Sequence, residues 1–107
     1  MVHIFVFSAV NTYTAKNKNI KEFRCERVSN SYFKFATVRD KGATLKQAER
    51  SIEKLYEEEK DKLNTMGVNA LEILNETKET LGYVYRNKGK SATQLKREAF
   101  NRCMGSN

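Results

Sequence analysis

The chain has 107 residues, with 20 Lys plus Arg against 13 Asp plus Glu and a formal net charge of +7. This length allows one domain with a modest core, which we place at residues 1–104 with a frayed tail at 105–107. A hydrophobic fraction of 39%, with six phenylalanines and five tyrosines, argues against an intrinsically disordered chain. The longest apolar run, residues 4–7, is far too short to span a membrane, and the first residues lack a signal-peptide pattern, so we expect no membrane partner.

Cys25 and Cys103 are too few for a disulfide scaffold. We therefore expect two reduced thiols that are buried as small apolar groups, in a protein that lies in the cytoplasm. Neither cysteine has a second Cys or a His near it in sequence, so no zinc-binding spacing is present. We expect no metal and no cofactor.

The positive charge is concentrated at the two ends of the chain. Residues 1–42 contain eight basic and three acidic side chains, and residues 82–107 contain six basic and one acidic. Residues 43–81 are slightly acidic. No internal repeat, low-complexity tract or linker interrupts the sequence, which favours a single cooperative domain.

The first 40 residues predict three strands. Residues 2–10 are apolar at both alternating positions, which is typical of an interior strand covered on both faces. Residues 20–28 and 32–39 alternate, and the turn-forming residues 29–31 between them predict a hairpin. A two-residue loop would mix charged and aromatic side chains in the core, so we prefer a three-residue loop. In that register the core face consists of Phe23, Cys25, Phe33 and Phe35.

A long amphipathic helix over 44–66 follows a turn at 40–42 that is expected to close the sheet. Thr44 and Gln47 form a capping box at its start, and Gly67 is a natural stop. Charges of both signs alternate on the outer face, which predicts a solvated face without a net field. The core stripe consists of Leu45, Ala48, Ile52, Leu55, Tyr56, Leu63 and Met66.

Residues 69–81 fit either a helix capped by Asn69 or one half of a hairpin, and we prefer a short helix followed by a strand over 81–86. Ser91 caps a last helix. The face of that helix directed to the core consists of Ala92, Leu95, Ala99 and Cys103. The predicted fold is therefore α+β, with an antiparallel sheet of three or four strands in the order β-β-β-α-α-β-α packed against the long helix.

The residues for catalysis are few. His3 is the single histidine and lies beside a strand predicted to be buried, so we interpret it as structural. The acidic run at 57–61 would spread around a helix and would not converge on a metal ion. The glycines are isolated, so no phosphate-binding loop is present. These features favour a binding protein that is not an enzyme.

Basic turns beside aromatic residues are typical of nucleic-acid contacts, so DNA or RNA is the first predicted partner. The predicted nucleic-acid-binding residues are Lys16, Lys18, Lys21, Arg86, Lys88, Lys90, Lys96 and Arg97. The predicted stacking residues are Tyr13, Tyr83 and Tyr85.

The alternative is a protein partner. A short, proline-free, basic chain rich in asparagine resembles small phage or mobile-element proteins that inhibit or redirect a host protein. Its charge would then steer it onto an acidic host protein. A second copy covering one face of the first strand, in a homo-oligomer, is a related prediction.

Overall fold

The computed structural model describes residues 20–105, and its regular elements are four α-helices. These are α1 (Ile20–Asp40), α2 (Leu45–Thr65), α3 (Ala70–Arg86) and α4 (Ala92–Gly105). The predicted α+β fold with an antiparallel sheet is wrong, because residues 20–105 contain no strand. The predicted first strand, residues 2–10, and His3 lie outside the described residues.

Helix α1 replaces the predicted hairpin of residues 20–28 and 32–39, and the predicted turn lies in the middle of it. The hydroxyl of Ser29 donates to the carbonyl of Glu26 at 2.9 Å, and that of Ser31 donates to Arg27 at 3.1 Å. Both serines are buried. Because the helix backbone itself accepts their hydrogen bonds, these residues need no turn to satisfy their polar groups.

The buried face of α1 is made of small residues. Cys25, Ser29 and Ala36 are at most 1% exposed and, together with half-buried Tyr32, recur at helical spacing. This face packs on α4 in the most extensive contact between two helices of the described chain. Short side chains at a contact allow two helices to approach closely. A count of large apolar residues misses such a stripe, and it detects instead the alternation of Phe33 and Phe35 that suggested a strand.

The predicted capping of α2 is confirmed at both ends. The hydroxyl of Thr44 accepts a hydrogen bond from the Gln47 amide at 3.1 Å, and the Gln47 side chain accepts one from the Thr44 amide at 2.9 Å. After the helix, Gly67 has a φ of +82°, a left-handed conformation that glycine adopts without strain. The Val68 amide then donates to the carbonyl of Leu63 at 3.0 Å, as in a Schellman motif.

The predicted core stripe of α2 is correct in its middle and wrong at its ends. Ala48, Ile52 and Leu63 are buried, whereas Leu45 and Met66 are 36% and 49% exposed.

Residues 70–86 form one continuous helix, so the predicted strand over 81–86 is wrong. The Asn69 side chain accepts a hydrogen bond from the Glu72 amide at 3.1 Å, as the helical alternative for this segment required. Thr77, Leu81 and Val84 are fully buried at helical spacing. The alternation of residues 81–85 is therefore a local coincidence within a helical pattern.

Helix α4 agrees with its prediction. The Ser91 hydroxyl accepts a hydrogen bond from the Gln94 amide at 3.1 Å, and Leu95 and Ala99 are buried. Gly105 is the last residue of this helix. Residues 106–107 of the predicted tail lie outside the described residues.

A disulfide joins Cys25 near the start of α1 to Cys103 near the end of α4, with 5.5 Å between their Cα atoms. The prediction of two reduced thiols is therefore wrong, since helix pairing brings together residues 78 positions apart in sequence. The cytoplasmic prediction rested on those thiols and loses that support. It stays a prediction. No helix within residues 20–105 has the length and apolar character needed to cross a membrane.

All four helices contribute to the main core, and a smaller apolar cluster around Leu63 and Ala70 lies between α2 and α3. Helix α1 also contacts α3. The buried residues of the main core are Phe35, Ala36, Ala48, Ile52, Leu81, Val84, Tyr85 and Leu95.

Arg39 fixes the end of α1 against the turn between α3 and α4. Its guanidinium donates to the carbonyls of Val84, Asn87 and Lys90 at 2.9, 3.1 and 2.9 Å, and it pairs with Asp40. The side chain is only 7% exposed. A cation at the last carbonyls of α3 also compensates the negative end of the helix dipole.

We expect Arg39→Ala to lower the free energy of unfolding by about 3 kcal/mol, because three partly buried carbonyls lose a charged donor. Urea unfolding followed by circular dichroism measures this. Arg39→Lys should recover little, since one ammonium does not reach three diverging carbonyls. Lys41→Ala, at an exposed neighbour, is the control. Equal stability of the Arg39→Ala and Lys41→Ala variants would contradict the role assigned to Arg39.

Candidate nucleic-acid interface

The helix packing separates the charges of the protein into two halves. Residues 20–41 and 86–105, which contain α1 and α4, hold twelve basic and four acidic side chains, whereas residues 42–85 hold six basic and nine acidic. Helices α1 and α4 pack against each other, and α2 packs against α3. Within residues 20–105, the two basic segments therefore form one basic half.

Lys21, the one residue of the first predicted basic turn that the structure describes, lies far from the second basic turn. Lys16, Lys18 and Tyr13 lie outside the described residues, and Lys21 is in the first turn of α1. The other turn, with Arg86, Lys88 and Lys90, lies at the opposite end of α1, where Arg39 contacts it. A helix of 21 residues is about 30 Å long, so the charge is spread along α1 and α4.

Lys90 forms an ion pair within the protein. Its ammonium lies 2.8 Å from a Glu98 carboxylate oxygen, and Gln94 donates to the other oxygen at 3.2 Å. The hydrogen bond with Glu98 raises the pKa of Lys90, and the same bond lowers the pKa of Glu98. Both groups therefore stay ionised near neutral pH, and Lys90 offers less net charge to a ligand than an exposed lysine does.

The two predicted stacking tyrosines that the structure describes have internal partners. Tyr85 is 8% exposed, and its hydroxyl donates to the carbonyl of Ala43 at 2.8 Å. Burial raises the pKa of Tyr85 above its ordinary value. The rings of Tyr83 and Tyr32 pack in a T-shaped arrangement, with 5.9 Å between centroids. Tyr85 therefore offers no ring face to a ligand, and Tyr83 is half-buried.

Arg102 lies across this pair of tyrosines. Its guanidinium carbon is 5.8 Å from the centroid of Tyr32 and 5.2 Å from that of Tyr83. Loss of water around the guanidinium lowers the pKa of Arg102, but hydrogen bonds and Coulomb attraction to the two tyrosines together raise it, and the net change is upward. Contact with two aromatic rings holds this cation of α4 against α1 and α3.

A groove of about 550 Å³ runs between α1 and α4, on the side of α4 opposite to Arg102. We call it the α1/α4 groove. Its lining combines amide, hydroxyl, cationic and aromatic groups. The lining residues are Glu26, Ser29, Asn30, Thr93, Lys96, Arg97 and Phe100. Of the predicted binding residues, Lys96 and Arg97 lie here, and both are exposed.

Phe33 lies beside the groove, 38% exposed, with the Lys96 ammonium 5.6 Å from its ring centroid. The predicted hairpin register assigns Phe33 to the core, so the sequence does not identify this ring as a surface residue. In a helix, Glu26, Asn30 and Phe33 occupy positions i, i+4 and i+7 of one face, which here lies next to the basic side chains of α4. That spacing is the signal that identifies this face.

Within residues 20–105, no three His, Cys, Asp or Glu side chains are grouped so that they could hold a metal ion. Comparison with protein families, with curated proteins and with solved structures finds no match to this chain. The function is therefore inferred from the charge, shape and chemistry of the surface.

Proposed function

We propose that the protein binds nucleic acid through the basic half formed by α1 and α4. The observation that carries the proposal is the separation of charge, because the basic helices pack together and leave the acidic side chains mainly on α2 and α3. A surface of this kind attracts phosphates and releases the counterions condensed on them. The proposal places the contact along two helices, and the contact through basic turns that the sequence predicts stays a prediction.

Lys96 and Arg97 are central to the proposed contact. Both are exposed, both line the α1/α4 groove, and they are neighbours near the middle of α4. Lys21 and Lys88 mark the two ends of the basic half, at opposite ends of α1. A nucleic acid lying along α1 would meet positive charge over a length of about 30 Å.

The test is the binding of a labelled oligonucleotide, measured by fluorescence anisotropy across a salt series. We expect Lys96→Gln with Arg97→Gln to weaken binding by about five- to tenfold at low salt, and to reduce the salt slope by about one for each lost phosphate contact. Lys46→Gln with Lys54→Gln, at exposed positions of α2, removes the same charge from the acidic half and is the matched control. That control should bind nearly as the unaltered protein does.

Two results would reject the proposal. One is the absence of binding at low salt by the unaltered protein. The other is an equal loss of affinity in the α4 and α2 variants, which would mean that net charge alone, and no particular surface, controls binding. In the first case, an acidic protein partner for the same basic half becomes the leading hypothesis.

A further inference from the structure

The α1/α4 groove offers more than positive charge. Asn30 and Thr93 provide hydrogen-bonding groups on opposite walls, and Phe100 contributes half-buried aromatic surface. Phe33 adds an aromatic ring at the side, with Lys96 near it. Binding to the backbone of a duplex needs cations, but it gains nothing from such rings, since the bases are stacked inside the double helix.

Resting on the proposed function, we propose that this groove takes an unpaired nucleic-acid strand. The bases stack on Phe33 and contact Phe100, while Lys96 and Arg97 neutralise the adjacent phosphates. An exposed aromatic ring beside a positively charged groove is a combination that single strands recognise, because every unpaired base has a π-face. The Asn30 amide can both donate to and accept from the edge of an unpaired base.

The size and charge of the groove agree with this ligand. A volume of about 550 Å³ lies within the range of small-ligand sites. The groove accommodates one or two nucleobases, while the rest of the strand follows the exposed basic side chains of α1 and α4. The carboxylate of Glu26 on the α1 wall disfavours close approach of phosphate there and directs the backbone to the α4 side.

The test compares a labelled single strand of about 20 nucleotides, longer than common single-strand sites, with a duplex of the same sequence. We expect the full chain to bind the single strand about tenfold more tightly at equal salt. Phe33→Leu should weaken single-strand binding at least fivefold and leave duplex binding unchanged, because stacking on one ring is lost. Phe33→Tyr, which keeps a ring, should restore the affinity.

The controls separate stacking from folding and from general hydrophobic contact. Thermal melting of Phe33→Leu should match that of the unaltered protein, since the ring is partly exposed. Leu71→Ala, at a residue that is 55% exposed on α3, removes apolar surface from the acidic half and should not change binding. Equal affinity for the single strand and the duplex, or full affinity of Phe33→Leu, would overturn this inference while the proposed function stands. Absence of binding to both nucleic acids would reject both.

Discussion

Replacing Cys25 and Cys103 together with alanine is expected to lower the free energy of unfolding by about 4 kcal/mol. The disulfide closes a loop of 78 residues, and the chain-entropy model assigns a cross-link of this length about 4.5 kcal/mol at 25 °C. Because the link joins the start of α1 to the end of α4, its loss acts on the pair of helices that encloses the groove. Urea unfolding of the variant and of the unaltered protein measures the difference.

Reduction of the unaltered protein provides an independent check of the same effect. Unfolding in the presence of a thiol reductant should resemble that of the double variant, and reductant should not affect the double variant. A thiol titration of the oxidised, denatured protein should detect no reactive thiol. Two titratable thiols, or equal stability with and without reductant, would contradict the disulfide assignment.

Ile52→Asp is expected to abolish cooperative folding. Ile52 is 1% exposed in the main core, where Phe35, Leu81 and Leu95 belong to the same cluster. A carboxylate introduced there has no partner and costs several kcal/mol, a large part of the total stability of about 5–10 kcal/mol expected for a domain of this size. Circular dichroism and thermal melting detect the loss.

Ser51→Asp is the matched control for that variant. Ser51 is exposed on the outer face of α2, one residue away, so it receives the same new charge without burial. We expect its melting temperature to change little. If both variants melt alike, α2 does not face the core through Ile52 and the packing described above is incorrect.

Sequence reasoning succeeded where local chemistry determines the structure. The capping box at Thr44, the caps at Asn69 and Ser91 and the stop at Gly67 depend on residues three to five positions apart, so a short window contains all the information needed. The middle of the core stripe of α2 was predictable for the same reason, because large apolar residues at helical spacing mark a buried face.

Sequence reasoning failed where the buried face is made of small or polar residues. In α1 the stripe of Cys25, Ser29 and Ala36 carries little hydropathy, while nearby phenylalanines alternate as in a strand. Ser29 and Ser31 suggested a turn, but they bond back to their own helix. The choice between a turn and a helix depended on α4, whose position α1 alone does not reveal.

The same distinction between local and long-range information applies to the candidate site. The sequence by itself determined that basic residues lie at both ends of the chain, with Lys96 and Arg97 among them, and that the long helix carries balanced charge. Only the tertiary structure decided that residues 20–41 and 86–105 form one basic half, that Phe33 lies at its surface and that Cys25 meets Cys103. The reason is physical: composition and capping act over a few residues, whereas a groove and a disulfide require two helices far apart in sequence to pack side by side.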